Sequence, residues 1–136
     1  TKLTPDGSAL VYSTYFGNQS TDMGKAIAVD WQGVAIAGET TVPEAGWTNH
    51  AFVLKLGTGS HVDYYRTFGV GSARGIAVDG SHTCVTGTIA YGLEPVGALQ
   101  PVPRGGDEAF VAKLDPSGRS VYATYLGGTG FDGGTG

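Results

Sequence analysis

The chain is poor in charge, in cysteine and in long apolar runs, and each shortage closes off a class of protein. Charged residues occupy 15% of the 136 positions, against about a quarter in an average domain. Eight Lys and Arg face twelve Asp and Glu, for a net charge of −4, and no basic run occurs. Clustered cations are what hold nucleic acids and anionic membrane surfaces, so neither is expected as the main partner. The one cysteine, Cys84, allows no internal disulfide, and cysteine usage leaves the redox compartment unreadable. No apolar stretch approaches the ~20 residues of a membrane span. Apolar residues hold the i, i+3, i+4, i+7 spacing for no more than a turn or two before Gly or Pro interrupts, so no long helix is expected.

The patterns that carry chemistry are also missing. His50, His61 and His82 stand in separate turns, none at ligand spacing from another His or from Cys84. A calcium loop concentrates carboxylates, but Gly130 to Gly134 offers only Asp132, and Asp107-Glu108 comes directly before a strand. No Gly-x-Ser-x-Gly elbow precedes a helix. Gly127-Gly128-Thr129-Gly130 is not closed by Gly-Lys-Ser/Thr, so it does not read as a phosphate loop. Cys84 aligns with Ala35 and is expected to be a small buried hydrophobe. The expectation is therefore no catalytic residue, no metal and no cofactor.

Glycine is abundant, at 24 residues, but without a Gly-X-Y period. It clusters between apolar runs, as in turns. Those runs repeat. Ile27-Ala28-Val29-Asp30 returns as Ile76-Ala77-Val78-Asp79, 49 positions later. Leu3, Leu56 and Leu114 each follow a Lys and precede a turn: Thr4 to Gly7, Gly57 to Ser60, Asp115 to Gly118. Each turn leads to a run rich in aromatic and β-branched residues, Leu10 to Gly17, Val62 to Gly69 and Ser120 to Gly127. Such runs read as strands. Asp30 and Asp79 open tight turns, which an Asp side chain can brace. As repeat-equivalents they read as one structural device used twice, not as a paired-carboxylate site.

Strands are expected near 25–30, 34–40, 51–56, 62–68, 74–79, 83–88, 109–114 and 120–126, with another near 9–16. Four short strands in about 50 residues are the signature of a β-propeller blade. The tetrad strand has one small face, so it is placed innermost, and the aromatic strand outermost. Residues 1–17 then end one blade, 25–68 and 74–126 form two four-stranded antiparallel blades, and 127–136 lead toward another. Ile27, Val29, Phe52, Val53, Phe68, Ile76, Val78, Phe110, Val111 and Tyr125 are expected to be mostly buried. Two blades leave broad apolar faces open. The chain is thus expected to be a piece of a larger propeller, or else to close by assembly of three or four copies.

Ala109 to Asp115, Val121 to Gly128 and Ile76 to Asp79 resemble the bacterial SBBP-type β-propeller repeat. Gly97-Ala98-Leu99-Gln100-Pro101 and Gly105-Gly106-Asp107 are similar to that family's connection between second and third strands. The segment from Gly69 to Ile76 departs from the pattern: it lacks the Asp present at Asp22 and Asp132. The resemblance implies an extracellular or cell-surface bacterial protein and no catalytic residues. Trp31, Trp47 and Tyr91 break the repeat, so the fold does not require them; they are candidates for ligand or partner contact. They could equally cover a blade edge. A non-catalytic scaffold or protein–protein interaction segment is expected, its partners being proteins, neighbouring blades or symmetry copies. The alternative is a carbohydrate-binding, lectin-like module with a glycan partner. A third is an enzyme whose site lies in other blades. Neither nucleic acid nor membrane insertion is expected.

Overall fold

β-Branched and aromatic residues alternating in runs bounded by Gly and Pro give strands throughout. The structure, a computed structural model, describes residues 1–17, 19–59 and 61–136, with the backbone alone at position 45. The strands are β1 (Lys2–Leu3), β2 (Leu10–Tyr12), β3 (Asp22–Asp30), β4 (Gly33–Val42), β5 (Thr48–Gly57), β6 (Val62–Asp79), β7 (His82–Tyr91), β8 (Glu108–Leu114) and β9 (Ser120–Leu126). β1 and β2 pair alone, and β3 to β9 form one antiparallel meander in sequence order. This sheet is open, with β3 and β9 at its edges. Among the described residues a single 3-10 turn, Pro43–Ala45, interrupts the strands.

The two strands expected at 62–68 and 74–79 are one continuous strand, β6, and it doubles back. Tyr64, near its start, donates a hydrogen bond to Thr83 Oγ1 at 2.8 Å. Thr83 is the register partner of Val78, near the end of β6. Fourteen residues of straight strand would span about 46 Å at ~3.3 Å per residue. The pivot is Val70, which pairs with His50 on one side and Tyr91 on the other. A Cβ on the adjacent Gly69 would collide with the Tyr91 carbonyl, so the close approach requires glycine there.

The bend divides the meander into two halves that stack face to face. The first is β3, β4, β5 and the start of β6; the second is the end of β6 with β7, β8 and β9. Cross-strand rows match between the halves. Ile27, Ile36, Leu54 and Tyr65 form one row; Ile76, Val85, Ala112 and Ala123 form its counterpart. The second half lays this face on the opposite face of the first, built from Ala37, Ala51, Val53 and Tyr64. Phe110, Leu114 and Ile89 are fully buried in that junction, and the Phe68 and Phe110 rings lie 5.5 Å apart.

The first half offers the corresponding face outward, with Phe52, Leu54, Leu56 and Ile36 as a second apolar cluster. Among the described residues, the short β1–β2 hairpin and the segment after it cover this face, with the Phe16 ring 5.1 Å from that of Tyr65. They enclose a cavity of ≈ 480 Å³ lined by Leu3, Tyr12 and Phe16 on one side and Ile27, Val29 and Val34 on the other. Ile27 and Val29 are therefore 66% and 65% exposed, contrary to expectation, while their counterparts Ile76 and Val78 are half-buried under four strands. The strand expected near 9–16 is only Leu10–Tyr12, and Tyr15 is fully exposed. Val111 and Cys84 are half-buried, not buried, because they lie on the outward face of the second half. Ser60, the last residue of the turn expected from Gly57, lies outside the described residues.

The connection from β7 to β8 is held by a buried carboxylate. Glu108, fully buried, accepts hydrogen bonds from the backbone N–H of Arg104 (2.6 Å) and Gly105 (2.8 Å) and from Gln100 Nε2 (3.2 Å). Gln100 in turn takes the N–H of Gly127 at 3.1 Å. Glu108→Ala removes the acceptor of the Arg104 and Gly105 N–H groups, while Gln100 Nε2 keeps the Val102 carbonyl at 3.2 Å. The change is expected to cost about 2–3 kcal/mol. It should also speed protease cleavage between 92 and 107, measured by urea titration and limited proteolysis.

Candidate functional site

Asp30 ends β3 and makes the turn that presents Trp31. Its Oδ1 accepts the N–H groups of Gln32 and Gly33, both at 2.9 Å, and Lys55 Nζ at 3.1 Å. Lys55 and Asp30 keep only 8% and 11% of their side-chain surface, and Asp30 Oδ2 is buried without a hydrogen-bond partner. Burial pushes the Asp30 carboxyl up, but the Lys55 ammonium and the two N–H groups outweigh it and hold it below the ordinary value. The repeat-equivalent turn is built differently. Asp79 is exposed, and Gly80 supplies the reversal with φ 58°.

Because β6 doubles back, the turns after β3 and β5 meet those after β6 and β8 at one end of the stack. A groove of ≈ 340 Å³ opens there, lined by Trp31, Gln32, Lys55, Thr58, His61, Asp63, Tyr64, Ser81, Thr83 and Pro116. His61 Nε2 lies 2.8 Å from Asp63 Oδ1. Burial raises the Tyr64 hydroxyl above its usual range, so it stays a neutral donor to Thr83.

The expected contact residues do not come together. Trp31 is 78% exposed on the rim of this groove. Trp47 follows the 3-10 turn at the other end, 73% exposed, with φ at 62°, a left-handed conformation uncommon for a bulky residue. Tyr91, expected in a loop, is the last residue of β7, pairs with Val70 and is 58% exposed. No protein-family model matches the chain, and no curated protein does. Its chemistry has to be read from its own side chains.

Among the described residues, no three His, Cys, Asp or Glu side chains gather where they could hold a metal ion. His50 and His82 fall in strands, not turns. His50 Nδ1 donates to the Phe68 carbonyl at 3.2 Å, leaving Nε2 to accept from Thr48 at 3.1 Å. No helix among the described residues is long and apolar enough to cross a membrane. Sequence reading missed Lys55, the buried cation of the groove. Its signal was available: a Lys in a strand otherwise apolar, aligned with Lys113 and Lys2.

Proposed function

We propose that the chain is a segment of an SBBP-type β-propeller, two blades and the edge of a third, acting as a non-catalytic scaffold or protein-interaction surface. The observation that carries this reading is the repetition of one stacking step. Tyr64 and Lys55 of the first half face the second half, and their repeat-equivalents Tyr12 and Lys2 line the cavity over the first half. A unit that stacks its front on the back of the last one is the element from which a radial array is built. The innermost strands support it too. Ala26 and Ala28 of β3 are half-buried, and Gly136 packs against Gly75 of β6, small residue to small residue. The motif resemblance supports a bacterial extracellular or cell-surface setting.

Both ends of the stack call for a neighbour. The front of the first half exposes Ile27 and Val29. The back of the second presents Ala77, Cys84, Val111 and Tyr122. Light scattering over a dilution series is expected to show the chain associating, either as a discrete ring or progressively. Ile27→Lys with Val29→Lys should reduce that association without loss of strand circular dichroism, since both side chains are exposed. A folded wild-type monomer at every concentration would overturn the proposal.

A further inference from the structure

We infer that the groove between the two halves, at the end marked by Trp31, binds a neutral saccharide. Its walls come from both halves. Lys55 and Tyr64 belong to the first and Ser81 and Thr83 to the second, with Trp31, Gln32, Thr58 and His61 around the mouth. The volume, ≈ 340 Å³, falls at the small end of the range of about 300–1,000 Å³ for ligand pockets.

Three features select the ligand class. The first is the indole of Trp31. It is 78% exposed where burial would be worth most to so large an apolar side chain, and the repeat has Gly80 at this position. The second half closes the equivalent hairpin with no aromatic at this position. A flat, wettable aromatic surface suits a ligand with one apolar face and polar edges. The second is the density of hydrogen-bonding groups beside it: the Gln32 amide, the Thr58 and Ser81 hydroxyls and the His61–Asp63 pair. The third is charge. The buried Lys55 ammonium is neutralised by Asp30 at 3.1 Å, and His61 lies on Asp63 at 2.8 Å. No cation in the groove is left over for a phosphate or a carboxylate, and its acids are already engaged with the Lys and the His. A ring bearing hydroxyl groups on its edge and C–H groups on its face satisfies all three. The described walls of the groove all come from this chain, so the inference does not depend on closure into a larger array.

The test uses the full chain carrying Trp47→Phe, which leaves Trp31 as the sole tryptophan. Fluorescence is titrated with glucose, galactose, mannose, N-acetylglucosamine and their disaccharides, and with glucuronate and inorganic phosphate as anionic controls. Saturable quenching or a blue shift is expected with at least one neutral sugar and with neither anion. Calorimetry on the Trp31→Ala chain should show affinity weakened at least tenfold, with an unchanged thermal melt because the side chain is exposed. Gln32→Ala should weaken binding several-fold. No saturable response to any neutral sugar would overturn the inference. So would binding that survives Trp31→Ala, or a preference for the anions.

Discussion

Phe110→Ala is expected to lower the unfolding free energy by about 3–5 kcal/mol, the range for deleting a buried ring. Phe110 is fully buried and touches both halves of the stack, with Phe68 5.5 Å away across the bend. The backbone on either side is fixed by pairing with Gly87 and Tyr125, so the site cannot collapse to fill the void. Domains carry only about 5–15 kcal/mol in total, so the loss should shift the urea midpoint far down or abolish the folded state. Phe52→Ala is the informative comparison. Phe52 holds the equivalent position in the first half, but its face is covered by a short hairpin and the segment after it, over a cavity, instead of by four strands. Its loss should be smaller in chemical denaturation. Equal losses would mean that the outward face is as firmly packed as the junction.

Lys55→Met is expected to cost about 3–5 kcal/mol, because it strands the buried Asp30 carboxylate beside a groove wall. The double variant Lys55→Met, Asp30→Asn should recover part of that loss, since neither charge then remains to be desolvated. The pair also sets an acid limit. The Asp30 carboxyl is held below the ordinary 3.8 in the folded chain. Its contribution is therefore fully present above the unfolded value and disappears as pH falls from about 4 through the lower folded value. Asp6, lowered to about 2 by the Thr4 and Ser8 hydroxyls, and Asp115, lowered by Ser117 and the Arg119 N–H, act in the same direction from exposed turns. Thermal melts between pH 5 and 2 should show Tm falling in wild type and falling less steeply in Lys55→Met. An identical slope would mean that Asp30 is not coupled to Lys55.

The strands were legible because their signals are local. β9 lies where the Ser120 to Leu126 run ends at Gly127, and β7 and β8 extend their expected cores only at the ends. The candidate site was legible only in part. Trp31 could be singled out because it breaks the repeat. Lys55 left a signal as the Lys of an apolar strand, but Asp63, Ser81 and Thr83 left none, and nothing in the spacing of the four brings them together.

The sequence by itself determined the all-β class, the antiparallel meander and the two-fold recurrence of the unit, because alternation, turn chemistry and repeat register all act over a few residues. Only the tertiary structure decided that Val62–Asp79 is one strand turned back at Val70, and that the two faces of each unit have different fates. Ile27 and Ile76 sit in the same motif, yet one is 66% exposed and the other half-buried. Burial depends on what lies above a residue, and that neighbour is set by stacking between elements far apart in the chain, which a local pattern does not encode.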